Sequence, residues 1–118
     1  MEYRVCRNNP APYNDLNGKI SLLGLGTMRL PLRDAADQTS IDEEKAQEIF
    51  DYAYAHGVNY FDTAYPYHGG MSEKFCGKAL AKYPRASYHL ASKLPGWLLK
   101  CDEDVPRIFE RAVGQLPH

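Results

Sequence analysis

The apolar positions of this chain change period several times. "KISLLGLGTMRL" (19–30) opens with a short apolar run and then places Gly24 and Gly26 near its end. That pattern predicts a strand whose end lies against a ligand or another backbone. After a polar, turn-rich stretch (33–40), Ala46, Ile49, Phe50 and Ala53 recur at helical spacing. Ser40 and Glu43 stand at capping-box distance ahead of this helix, and Gly57 is placed to end it. "VNYF" (58–61) predicts a second strand. A second helix is expected from Ser72, as N-cap, to about Tyr83, with Phe75, Ala79 and Leu80 inward and Pro84 as the stop. "SYHLAS" (87–92) alternates, with Tyr88, Leu90 and Ser92 on one side and His89 and Ala91 on the other. Acidic residues 102–104 and Pro106 then mark the first turn of a third helix. Its Val105, Ile108, Phe109, Ala112, Val113 and Leu116 keep the 3–4 spacing.

Three strand–helix units in series predict a parallel sheet, because such crossovers return the chain to the same end. A doubly wound sheet and a (β/α)₈ TIM barrel both contain such units. The dinucleotide-binding version of the first is disfavoured: "GLGTMR" lacks the third glycine of G-x-G-x-x-G, and a long loop separates it from its helix. A barrel needs ~250 residues. With 118 residues, the chain (1–118) is expected to be one domain holding about the first three β/α units, a partial barrel.

Composition adds exclusions. With 44% hydrophobic residues, 25% charged residues and a net charge of -1, nothing attracts nucleic acid or an anionic membrane. No apolar run is long enough to span a bilayer, and "MEYRVCRNNPAPYND" lacks a signal-like apolar stretch, so a cytoplasmic location is the expectation. Cys6, Cys76 and Cys101 match neither a disulfide framework nor a metal motif, and three reduced thiols are expected.

Parallel α/β folds carry their reactive groups at the C-terminal ends of strands. Here those ends fall near Gly26-Thr27-Met28, at Asp62 and at Ser92-Lys93. Neighbouring strands lie ~4.8 Å apart, so Asp62 and Lys93 are expected to pair. Tyr65 or Tyr67 reaches the same mouth. A tyrosine, of pKa about 10, is a poor acid at neutral pH, and an ammonium beside a phenol favours its ionised form. A carboxylate that keeps the lysine charged completes a general acid suited to a carbonyl oxygen receiving hydride. Each residue also has a plainer use. Asp62 suits a turn, Lys93 a solvated loop, Tyr60 and Phe61 the core, and Tyr65 packing beside Pro66. Gly69 and Gly70 suit a tight turn, His68 a solvated loop, and His56 a helix C-terminus.

"LGLGTMRLP", "GVNYFDTAYPYHGGMSEKFCGKAL" and "YHLASKLP" together resemble the N-terminal part of the aldo-keto reductases. The resemblance implies a (β/α)₈ barrel that reduces a small carbonyl compound to an alcohol with NADPH or NADH and no metal. It makes Asp62 the catalytic aspartate, Tyr67 the acid and Lys93 the lysine, so it selects Tyr67 over Tyr65. Gly26, Thr27 and Met28 match the segment near the nicotinamide, with Asp62 bordering the same cofactor. "AYPYHGGMSE" and "SKLPGW" look most like a bacterial or archaeal branch whose longer members often carry an iron–sulfur domain, yet the chain has no such cysteine cluster.

Two departures accompany the match. "CRNNPAPYNDLNGK" is longer than the family's usual opening hairpin. The family's fourth catalytic residue, a histidine ending the fourth strand, has no counterpart; His118 follows no apolar strand and is not given that role. The expectation is an oxidoreductase by descent, truncated and inactive alone. The alternative is a non-catalytic interaction module or split-barrel half, self-associating through exposed sheet edges.

Overall fold

The computed structural model describes residues 1–5 and 19–117. Cys6, the connecting segment 6–18 and His118 lie outside the described residues, together with the expectations that fell on them. Two strands open the chain: β1 (Tyr3–Val5) pairs antiparallel with β2 (Lys19–Ser21). Then come β3 (Leu25–Gly26), α1 (Glu43–Ala55), β4 (Tyr60–Asp62), α2 (Met71–Leu80), β5 (His89–Ala91) and α3 (Asp104–Gln115). β3, β4 and β5 form a parallel sheet in chain order, as expected of serial β/α units.

The run 19–30 therefore divides between two sheets instead of forming one strand. Ser21 Oγ donates to Leu23 O and bends the chain, and Gly24 then passes close to the Tyr60 ring, where a Cβ would lie 3.3 Å from a ring carbon. Asn59 ties the hairpin to the start of β4: Ser21 N donates to Asn59 Oδ1 (2.8 Å) and Asn59 N donates to Ser21 Oγ (3.1 Å). The hairpin thus closes the base, at the opposite end from Asp62.

Local signals explain several helix boundaries, and three depart from expectation. Gly57 takes φ +90, a left-handed position open to glycine, just past the end of α1. The cap of α1 is Asp42, whose carboxylate accepts from Lys45 N at 3.2 Å. Ser40 instead donates to Asp34 O and Asp37 O, closing the loop before it. α2 is capped by Gly70 at φ 89, so Ser72 falls inside the first turn and is buried. α2 ends at Leu80, ahead of the Tyr83 expected from sequence.

One face of the parallel sheet packs on α1 and α2. Phe61 stacks on Phe50 (centroids 5.3 Å apart), which meets Phe75 edge-on at 5.4 Å, while Tyr88 meets Phe61 edge-on at 6.1 Å. Leu30, Ile41, Ala46, Val58, Cys76, Ala79 and Leu80 complete this core. Burying each large apolar side chain contributes about 1.5–3 kcal/mol. Strand alternation turns Tyr60 to the opposite face, beside His89 at 6.4 Å, so of the expected core pair only Phe61 joins the cluster. α3 lies against α2 at Gly77, where an added Cβ would strike the Gln115 carbonyl. Its amphipathic spacing is as expected, but Ile108 is its buried residue and Phe109 is 59% exposed. No helix among the described residues is long and apolar enough to cross a membrane.

Candidate active site

Gly26, Asp62 and Ala91 sit level with one another at the C-terminal ends of the three strands. Because Phe61 is committed to the core, Asp62 faces the other side. Lys93, two residues beyond Ala91, continues on that side and closes on it. Its Nζ lies 2.8 Å from Asp62 Oδ2 and donates to Thr63 O at 2.9 Å. Burial lowers the pKa of Lys93, but the Asp62 carboxylate and then Tyr67 favour the charged form, and the sum holds it above the ordinary lysine value.

The two candidate tyrosines go to different partners. Tyr67 opens a tight turn (Tyr67–Gly70), and its ring centroid is 5.0 Å from Lys93 Nζ. The Tyr65 hydroxyl accepts from Arg111 Nη1 at 3.0 Å, and that guanidinium lies 5.1 Å from the ring. Tyr65 thereby links the loop to α3. Gly69 (φ 61) and Gly70 (φ 89) make the tight turn expected of them.

His68 departs from expectation. It is 5% exposed rather than solvated, with φ 54. Nε2 lies 3.1 Å from both Leu30 N and Thr27 O, and Nδ1 lies 3.0 Å from Gln38 O. The residue next to Tyr67 thus staples the 27–38 segment to the turn. A histidine beside two glycines, one of the few side chains that enter left-handed backbone readily, was the available signal. His56 meets its expectation: it caps α1, with Nδ1 2.7 Å from Tyr52 O.

Gly26, Thr27 and Met28 differ in what they present. A Cβ on Gly26 would meet nothing within 4 Å, so space lies open beside Asp62. Met28 is exposed. Thr27 is fully buried, its N–H and hydroxyl both donating to Asp62 O at 2.9 and 3.0 Å. Beneath the site, Ser72 Oγ lies 2.8 Å from Thr27 Oγ1 and 2.9 Å from Thr63 Oγ1. Ser92 donates to Glu73. Of these, Thr63 and Glu73 escaped the sequence reading, as did the supporting roles of Thr27, Ser72 and Ser92. Their signal was a hydroxyl residue at or just beyond each predicted strand end: Thr27, Thr63 and Ser92.

Cys76 is buried in this region, and burial pushes its thiol above the ordinary cysteine value. Cys76 and Cys101 are free thiols, and Cys6 lies outside the described residues. Among the described residues no cluster of His, Cys, Asp or Glu is placed to hold a metal. A groove of ≈ 410 Å³ opens beside Lys93, between β5 and α3, and includes Leu90, Phe109 and Val113 in its walls.

Comparison with known proteins adds a family to this geometry. The family model described as "Aldo/keto reductase family" matches residues 22–112. The chain is 49% identical over 55 residues to aldo-keto reductase dtxS3 of Metarhizium robertsii, covering 45% of this chain and 15% of that protein. It is 41% identical over 66 residues to an aldo-keto reductase of Fusarium vanettenii, covering 54% of this chain and 17% of that protein. Among solved structures it is similar to the thermostable aldo-keto reductase Tm1743, crystallised with the inhibitor epalrestat. That match has a TM-score of 0.67 and 27% identity, over 98% of this chain and 38% of that one. The chain spans about a fifth of the length of curated relatives (21% and 22% for two of them). The fold is accordingly a partial TIM barrel, its three parallel strands matching a segment of the complete structures.

Proposed function

The chain belongs to the Aldo/keto reductase family, and on that premise we propose that it carries the proton-donating site of an NAD(P)H-dependent carbonyl reductase. The substrate is a small aldehyde or ketone. Tyr67 is the general acid, Lys93 tunes it, and Asp62 keeps Lys93 charged and aimed. The observation that carries this reading is the 2.8 Å contact between Lys93 and Asp62, with the Tyr67 ring 5.0 Å from the same ammonium.

Gly26, Met28 and Asp62 would border the cofactor, with Thr27 buried behind them and bonded to the Asp62 carbonyl. The open space at Gly26, level with Asp62, would leave room for a bound group beside the strand ends. A bound NADPH or NADH would be the source of hydride for the carbonyl carbon. The chain's own residues orient the carbonyl oxygen toward Tyr67 and deliver the phenolic proton to it. The Lys93 ammonium stabilises the phenolate left behind. No metal enters this scheme.

The test is turnover after mixing this chain with a complementary C-terminal fragment of the barrel. NADPH oxidation with a reactive aldehyde, lost in Tyr67→Phe, supports the assignment. Turnover that survives this change removes Tyr67 from the role. A second reading, a non-catalytic module that self-associates or docks on the rest of a barrel, draws on the face of α3 and the edges of β3 and β5 that stay uncovered and unpaired among the described residues. Assembly without turnover in the same mixture favours it.

A further inference from the structure

The first turn of α2 reaches the ends of all three parallel strands. Ser72 meets Thr27, which follows β3, and Thr63, which follows β4. The next residue, Glu73, accepts from Ser92 Oγ, which follows β5. Ser72 is 0% and Glu73 1% exposed. A glutamate in the first turn of a helix ordinarily complements the dipole from the surface, and burying a carboxyl is costly unless it is hydrogen-bonded. The dipole therefore does not account for the burial of Glu73.

The position of Ser92 does account for it. Ser92 directly precedes Lys93, so a fixed hydroxyl at Ser92 fixes the point from which the lysine side chain departs. The acceptor at the far end is fixed by the same turn. Lys93 donates to Thr63 O, and the Thr63 hydroxyl is bonded to Ser72. Ser72 and Glu73 thus hold both the residue that carries the ammonium and one of the residues that receives it.

We infer that Glu73 is a positioning residue for Lys93, acting through Ser92 to set the strand end from which the ammonium reaches Asp62 and Thr63. The inference rests on the reading of Lys93 as the partner of Tyr67 and adds the buried group that places it. Glu73 itself borders neither substrate nor cofactor.

The test is a ¹⁵N NMR titration of the Lys93 ammonium in the full 118-residue chain. The variants are Glu73→Ala, Glu73→Gln, Ser92→Ala and Asp62→Asn, with thermal unfolding measured alongside. Glu73→Ala and Ser92→Ala are expected to lower the Lys93 pKa by roughly half a unit, as its partners fall out of alignment. Glu73→Gln, whose amide oxygen still accepts from Ser92, is expected to restore the wild-type value. A purely packing role would lower the melting temperature and leave the Lys93 titration in place. Folded Glu73→Ala and Ser92→Ala chains that titrate like wild type overturn the inference, as does a Glu73→Gln chain that shifts as far as Glu73→Ala. If Glu73→Ala does not fold, Ser92→Ala decides, since it removes a single hydroxyl. Asp62→Asn separates the two levels of the argument: if it leaves Lys93 unmoved, the ion-pair reading fails and the inference falls with it.

Discussion

Lys93 and Asp62, thirty-one positions apart in sequence, meet at 2.8 Å across the ends of two adjacent parallel strands. Their side chains are 50% and 37% exposed. At that exposure solvent screens most of the attraction, and such pairs contribute at most about 1 kcal/mol. The pair is therefore poorly explained as a device for stability. It makes better sense as alignment, holding an ammonium beside the Tyr67 ring.

Replacing Tyr67 with Phe keeps the ring that faces Lys93 and removes the transferable proton. In an assembled barrel containing this chain, kcat should fall by about 10²–10⁴-fold, the usual worth of a general acid. Cofactor affinity, measured by fluorescence quenching, should stay near the wild-type value.

The purified 118-residue chain by itself should oxidise NADPH negligibly with a reactive aldehyde. It spans 38% of the length of a solved relative, and the proposed cofactor contacts are confined to the rim at Gly26–Met28 and Asp62. Steady turnover by the isolated chain, measured at 340 nm, would contradict this.

Asp51 gives a pH signature unconnected with the site. Burial alone would raise its pKa, but hydrogen bonds from Lys82, Tyr83 and Gln47 prevail and lower it to about 2 from 3.8. A depressed carboxyl adds stability above its unfolded pKa and loses it as pH falls through the folded value. The pH-dependent part of the stability difference between wild type and Asp51→Asn should thus be constant above about pH 5 and be lost only below the folded value, by about pH 1. Chemical denaturation across that range measures it. The carboxylate is partly open to solvent, so the effect should be modest.

Gly77→Ala should destabilise the chain by about 1–3 kcal/mol, although alanine is the better helix former. The added methyl would strike the Gln115 backbone carbonyl, which cannot rotate away as a side chain would. Urea unfolding, with α3 amide signals followed by NMR, should show the contact between α2 and α3 loosening first.

Period and punctuation made the order of elements legible: three strand–helix units, the stop at Gly57 and the alternation through Tyr88, Leu90 and Ser92 all have local causes. Asp62 and Lys93 were legible for a related reason, since both sit where a strand's apolar run gives out. Choices between neighbouring candidates were harder to read. Ser40 and Asp42 both suit a cap, and what separates them is that the loop before α1 already uses the Ser40 hydroxyl. Ser72 lost the cap of α2 to Gly70, which the tight-turn reading of Gly69 and Gly70 placed correctly without giving it the cap. Burial of polar residues was the largest gap. Glu73 and His68 look like solvent residues until the segments that enclose them come together in space. The α3 spacing correctly announced an apolar face, but a face does not name what covers it.

Strand β4 is three residues long. Asn59, just before it, is clamped to the hairpin at the base, and Asp62, its last residue, grips Lys93 at the rim. At ~3.3 Å per residue, the two clamps are about 10 Å apart along extended backbone. So short a ruler has almost no slack. A misplacement of Asn59 at the foot would arrive at Asp62 nearly undiminished, which makes the quiet end of the sheet part of the tolerance of the proposed site at the other.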